Sequence, residues 1–255
     1  LGRIVMLQKP PARIVSLVPS LTELLFSLGL KEQMVGRTKF CIHPSNDIDG
    51  VEIVGGTKKF SVERIKALHP DLIIANKEEN DRKLVDQLTD DFPVWVSDVS
   101  DLYSAIDLIH GIGRMTSTEV KAHLISETIL QSFSTLKPLH RYNALYFIWK
   151  DPWMVAGRNT FIHDMMNRAG MINLVTEDRY PAIEEAQLDQ YDPDVVFLSS
   201  EPYPFAREHR IEMEKRFPRA SVKLVNGEYF SWYGSRLLES AKYFQSLIKV
   251  IAAPA

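Results

Sequence analysis

Residues 63–78 read ERIKALHPDLIIANKE, and residues 186–201 read AQLDQYDPDVVFLSSE. At a constant offset of 123, Pro70 falls on Pro193, Asp71 on Asp194, Leu72-Ile73-Ile74 on Val195-Val196-Phe197, and Glu78 on Glu201. Each segment reads as a helix end, a Pro-Asp entry, a buried strand and a glutamate just past the strand's carboxyl end. Proline disfavours helix in the residue before it, so the helix before His69-Pro70 must stop there. The uninterrupted apolar triplet suits a strand buried on both faces of a parallel sheet. One supersecondary unit written twice predicts an internal duplication.

The pattern extends outward from the first copy. Arg13–Val18 reads as a short buried strand, followed by Pro19 and by Ser20-Leu-Thr-Glu23, a capping box that opens a helix ending at Gly29. Val51–Gly56 is extended, Ser61–Leu68 a helix capped by Ser61, Asp71–Ala75 a strand, Asn80–Thr89 a helix and Val94–Ser97 a strand. Strands alternating with helices predict a parallel sheet covered on both faces. The rhythm changes at Leu102–Ile112, one helix, and at Thr116–Leu136, a second, with Thr116-x-x-Glu119 as its capping box. At 1.5 Å per residue the second is a rod of about 30 Å. Beyond it the alternation resumes with strands Ala144–Ile148, Asp194–Leu198 and Val222–Val225. Helices are expected near Thr160–Ala169, Glu184–Gln190, Arg207–Arg216 and Gly234–Ile251. The expected architecture is α/β: two α/β lobes with mainly parallel sheets, residues 1–115 and 138–255, joined by a single long rigid helix at 116–137.

Composition narrows the function. Of 255 residues, 45% are hydrophobic and 25% charged, which excludes a disordered chain. Thirty basic against 33 acidic residues leave a net charge of -3, and no basic run is long enough to track phosphates, so nucleic acid is not expected as a partner. The single cysteine, Cys41, rules out an internal disulfide and multi-cysteine metal sites. No apolar run reaches the ~18 to 20 residues that span a bilayer. Leu1–Pro11 lacks the order of a secretory signal, so either a signal precedes it or the protein stays in the cytosol.

No catalytic constellation is legible. The seven histidines are scattered, without a His-x-x-x-His or His-Glu-x-x-His pattern, and Gly111-x-Gly113 lies in a helical stretch rather than after a strand. Cys41-x-His43 is a pair of soft ligands, but two ligands do not make a metal site, which leaves His43 a solitary candidate. The aromatic residues say more. Tyr146, Trp149 and Trp153, then Tyr180, then Tyr229-Phe230-Ser231-Trp232-Tyr233 fall where strands give way to loops, the usual place of ligand clefts in open α/β sheets. Phe40 and Phe60 occupy loops of the first half.

Together, Arg13–Val18 with Pro19-Ser20-x-Thr22-Glu23, Val35-Gly36, Val54-Gly55-Gly56, Ile65-x-x-Leu68-x-Pro70-Asp71-Leu72-Ile73 and the long helix resemble the class III substrate-binding proteins of ABC importers. These are the helical-backbone metal receptors for cobalamin, ferric siderophores and haem. Ser231-Trp232-Tyr233 resembles the tryptophan loop of the cobalamin branch. The resemblance implies a binding protein, not an enzyme, with no intrinsic cofactor. Its ligand would be a cobalt or iron chelate, corrinoid first and ferric siderophore or haem next, held between the lobes by Phe40, Asn76, Trp149, Trp153, Tyr180, Trp232 and Tyr233. It also implies that Glu78, or its neighbour Glu79, and Glu201 dock outside the ligand cleft into arginine pockets of a dimeric permease. The chain is expected to be a monomer in the periplasm or another extracytoplasmic space, lipid-anchored if a suitable segment precedes Leu1. Asn76 stands where the cobalamin branch has a tryptophan, which favours cobalamin less, and Phe40–His43 has no counterpart there. A cytosolic chelatase-like enzyme or sensor is the alternative, and a free-metal-ion receptor a third class.

Overall fold

The computed structural model describes residues 5–138 and 140–252. The chain separates into two compact units: residues 1–99, 103–127 and 233–236 form unit 1, and residues 100–102, 128–232 and 237–255 form unit 2.

Unit 1 carries β1 (Ile14–Ser16), α1 (Pro19–Ser27), β2 (Met34–Thr38), β3 (Glu52–Gly55), α2 (Val62–Ala67), β4 (Leu72–Asn76), α3 (Arg82–Asp86) and β5 (Val94–Ser97). The strands form one sheet in the order β3-β2-β1-β4-β5. Every pairing is parallel. Val15, Ile73, Ala75 and Val54 pack under Ile65 of α2 and Leu88 in one core. Ser61 caps α2 as its spacing predicts, accepting from the Arg64 N–H.

The Ser20 box does not form. Pro19 is pre-set for the first helical turn, so α1 starts two residues earlier, with Val18 as N-cap and Ser20 buried inside the helix. Thr22 turns its hydroxyl onto the Val18 carbonyl instead. Glu23, released from capping, meets Arg236 from the far end of the sequence. Arg236 Nε donates to Oε2 at 3.1 Å, and Nη2 lies 2.7 Å from Oε1. Gly234, at φ +117°, follows the same surface, and a Cβ there would lie 3.3 Å from Leu24 Cβ. The segment 233–236 is thereby held on α1.

α4 (Leu102–Thr116) and α5 (Glu119–Ser134) replace the two helices read at 102–112 and 116–136. Thr116 is the last residue of α4, its hydroxyl bonded back to the Ile112 carbonyl, and Ser117 takes φ 55° to turn the chain. Ala122 N–H then bonds to the Thr118 carbonyl, so α5 opens at Thr118, not at Thr116. The helix is about 24 Å long rather than 30. Gly113 lets the two helices close up, since a Cβ there would meet Ala122 Cβ at 2.6 Å. The division between the units falls inside α5, after Glu127.

Unit 2 carries β6 (Tyr142–Trp149), β7 (Trp153–Val155), α6 (Phe161–Arg168), β8 (Met171–Asn173), β9 (Ala182–Ile183), β10 (Val195–Ser199), α7 (Arg207–Arg216), β11 (Ser221–Val225), α8 (Glu228–Ser231) and α9 (Leu237–Ala252). Residues 185–190 form a 3-10 turn rather than an α-helix. The sheet runs β11-β10-β6-β7-β9, with β8 also on β6. β11, β10, β6 and β8 are parallel, and β7 runs antiparallel to β6 and β9. Leu145, Phe147, Val196, Leu198, Met213 and Val222 centre its core.

The Glu23–Arg236 pair is mostly buried, with side chains 18% and 12% exposed. Removing one partner breaks a mostly buried ion pair, so Arg236→Met is expected to lower unfolding free energy by about 2–4 kcal/mol. Urea denaturation should also show that Glu23→Gln adds little once Arg236 is gone; additive losses would show that the two side chains act independently.

Candidate functional site

The duplicated segments share their chemistry as well as their pattern. In unit 1 the Asp71 carboxylate accepts from the backbone N–H groups of Ala12 and Arg13, both at 2.8 Å, where β1 begins. In unit 2 the Asp194 carboxylate accepts from the Asn143 N–H at 2.7 Å, near the start of β6. At the other end of the strand, Asn76 Oδ1 accepts from the N–H groups of Glu78 and Glu79 at 2.8 and 3.1 Å. Its counterpart Ser199 accepts from the Glu201 N–H at 3.3 Å and donates to the Glu201 carbonyl at 2.6 Å. In each unit the strand's last side chain closes the turn that bears the glutamate.

The next turn position ties to the neighbouring strand in each unit, by a side chain in one and by the backbone in the other. Asn80 donates to the carbonyls of Leu17 and Thr57 and accepts from the Asn76 N–H. It fills the crevice between β1 and β4, where the strand order reverses. At the same offset, the Tyr203 N–H bonds to the Ile148 carbonyl at the end of β6.

Asn76 itself is buried, and its amide nitrogen donates to the Ser97 carbonyl and hydroxyl, both at 3.1 Å. Its polar atoms are committed to the loop. Glu78 and Glu79 are half-buried, and Lys58 Nζ donates to the Glu78 carbonyl. Phe40 is half-exposed, with Lys39 Nζ 5.0 Å from its ring centroid. His43 is half-buried, whereas Cys41 is enclosed and its sulfur lies 3.1 Å from the hydroxyls of Thr22 and Thr38. Burial pushes the thiol up against the opposing pull of those hydrogen bonds, so Cys41 is a neutral packing residue. Among the described residues, no three His, Cys, Asp or Glu side chains converge as a metal site.

In unit 2, Trp149 is 39% exposed at the end of β6 and meets Tyr203 edge-on at 5.5 Å. Trp153 belongs to β7 and is packed in the core against Phe147 and Phe205. Tyr180 is half-buried in the turn before β9. Trp232 is buried at the end of α8 and donates from Nε1 to Glu201 Oε1 at 2.9 Å; Ser231 Oγ reaches the same oxygen at 2.6 Å. Tyr233, the next residue, is buried and belongs to unit 1. Two residues read from sequence for separate tasks, Glu201 and Trp232, are therefore in direct contact, and the Glu201 carboxylate is engaged.

Behind them, Tyr146 donates to Ser199 Oγ at 3.2 Å. Burial raises its phenol far above the ordinary range, which keeps it a neutral donor. The sequence reading missed Ser199 and Ser231. The first was visible as the residue opposite Asn76 in the repeat; the second stood in the Ser231-Trp232-Tyr233 phrase without a role of its own.

The family model described as periplasmic binding protein matches residues 14–218. A vitamin B12-binding protein of Yersinia pestis (strain Pestoides F) is 24% identical over 254 residues, covering 95% of this chain and 88% of the relative. The crystal structure of the periplasmic vitamin B12 binding protein BtuF of Vibrio cholerae aligns with a TM-score of 0.80 at 21% identity, over 96% of this chain and 99% of that one. A periplasmic heme binding protein from Pseudomonas aeruginosa gives 0.80 at 23% identity, over 96% and 95%. At these identities the structural likeness is one of fold. With a family model matched over most of its length, this chain belongs to the periplasmic binding protein family.

Proposed function

We propose that the protein is the substrate-binding component of an ABC importer, capturing a metal chelate and delivering it to a permease. The observation that carries this reading is the pair of strand-end turns at the same repeat position, one in each unit, each closed by the strand's last side chain and each bearing a glutamate. A receptor that docks on a two-fold permease needs one carboxylate per unit at matching repeat positions, and arginine pairs with carboxylates through strong charge-assisted bonds. Glu78, with Glu79 beside it, and Glu201 fill that role.

The ligand is a corrinoid first, with haem or a ferric siderophore next. The curated relative and two solved structures supply the class by their names, and Phe40, Trp149, Tyr180, Trp232 and Tyr233 supply flat apolar surface for a macrocycle. Asn76 and Trp153 drop out of this set because the loop and the core already occupy them. The metal arrives with the cargo and is not a resident cofactor. The site of action is extracytoplasmic and the working form a monomer; among the described residues, no helix is long and apolar enough to cross a membrane. No observation favours the chelatase-like alternative.

Thermal denaturation with cyanocobalamin, cobinamide, haemin and a ferric hydroxamate tests the class. A ligand at a hundred times its Kd adds about 2.7 kcal/mol, a readily visible shift. A corrinoid is expected to give the largest increase; a shift with haemin alone moves haem to first place, and no shift with any of the four overturns the chelate reading. Trp232→Ala is expected to weaken binding of the ligand so identified roughly 5- to 150-fold by calorimetry.

Docking is best tested in unit 1, because Glu201 also touches Trp232. Glu78→Arg combined with Glu79→Gln is expected to abolish uptake through the cognate permease in proteoliposomes while calorimetry still detects the ligand. Undiminished uptake would remove both residues from docking.

A further inference from the structure

The turn after β10 and the segment 227–232 are built as one piece within unit 2. Gly227 N–H donates to Ser200 Oγ at 3.0 Å. A Cβ on Gly227 would lie 2.3 Å from Ser199 Oγ and 2.7 Å from Glu201 Cγ, so only glycine allows this approach. α8 starts against the turn, and one helical turn later Ser231 and Trp232 reach back to it. The Ser231 hydroxyl lies 2.6 Å from Glu201 Oε1 and 3.0 Å from the Gly227 carbonyl. It has a single proton, and the shorter, charge-assisted bond takes it. The indole N–H of Trp232 is a donor only, and in a buried ring it needs an acceptor; Glu201 Oε1 provides one at 2.9 Å.

We propose that Glu201 is the positioning residue of Trp232, its Oε1 fixing the indole ring through Nε1–H and the end of α8 through Ser231. This rests on the reading in which Trp232 packs on the chelate and Glu201 meets the permease, and it deepens that reading. A guanidinium that engages Glu201 draws on the carboxylate that orients the tryptophan, so docking at this unit and grip on the ligand are coupled through one side chain. Coupling of this kind is reciprocal: whatever docking does to ligand affinity, ligand does to docking affinity.

The test uses the whole chain with 15N-labelled indoles and no ligand. The four tryptophans give four indole resonances, and Trp232→Phe assigns the relevant one. Glu201→Ala is expected to move the Trp232 resonance upfield and to speed its exchange with water at least tenfold, with the other three in place. Glu201→Gln, which keeps an acceptor oxygen at the same reach, restores the position. Glu201→Asp, which keeps the charge one methylene short, does not, and it serves where the alanine variant fails to fold. A Trp232 resonance unmoved in Glu201→Ala and Glu201→Asp overturns the positioning role whatever the ligand. The second arm titrates cyanocobalamin, expected to bind about tenfold more weakly to Glu201→Ala and to recover with Glu201→Gln, in line with loss of a hydrogen bond to a charged group. A shifted indole with unchanged cyanocobalamin affinity overturns the coupling to the ligand, whereas a wild-type protein blind to cyanocobalamin counts against the corrinoid and leaves the indole arm to decide the positioning.

Discussion

A parallel strand that stops in the middle of a sheet leaves backbone N–H groups which the neighbouring strands no longer reach, and each unpaired buried group costs free energy. Both units meet this constraint with side chains from the duplicated segment. An aspartate enters the central strand and ties down the start of its neighbour, and a short polar side chain leaves it and closes the following turn. Because the strand is fixed at both ends, the turn beyond it is held in one conformation.

The parts of the fold legible in sequence are those that depend on this local chemistry. Pro-Asp before an apolar triplet located β4 and β10, and Ser61 and Thr160 stood where α2 and α6 begin. The Ser20 and Thr116 boxes failed for local reasons too: Pro19 occupies the first helical turn, and Thr116 finishes the preceding helix. β7, β8 and β9 are two or three residues long, β7 and β8 pairing on part of β6 and β9 on β7, too short for any periodicity to show. The return of residues 233–236 to unit 1 was invisible, since Glu23 and Arg236 are 213 residues apart in sequence. The aromatic residues could be listed from sequence but not sorted, because only packing distinguishes the enclosed Trp153 from Trp149.

The two glutamates occupy equivalent positions of the repeat and have unequal surroundings: Glu79 follows Glu78 and offers a second turn N–H, Pro202 follows Glu201 and has none, and the residue that closes each turn differs. Asn76 has an amide: its oxygen takes both turn N–H groups, and its nitrogen bonds to Ser97 on β5. With Asn80 filling the adjacent crevice, the unit 1 turn is closed by its own sheet. Ser199 offers one hydroxyl, which must serve the Glu201 N–H, the Glu201 carbonyl and the Tyr146 phenol. It has nothing left for β11. The neighbouring Ser200 takes the Gly227 N–H instead, which draws the chain after β11 against the turn and brings Trp232 within reach of Glu201. In unit 2 an aromatic side chain is thus tied to the glutamate beyond the strand, and in unit 1 the residue that closes the turn is tied to the neighbouring strand.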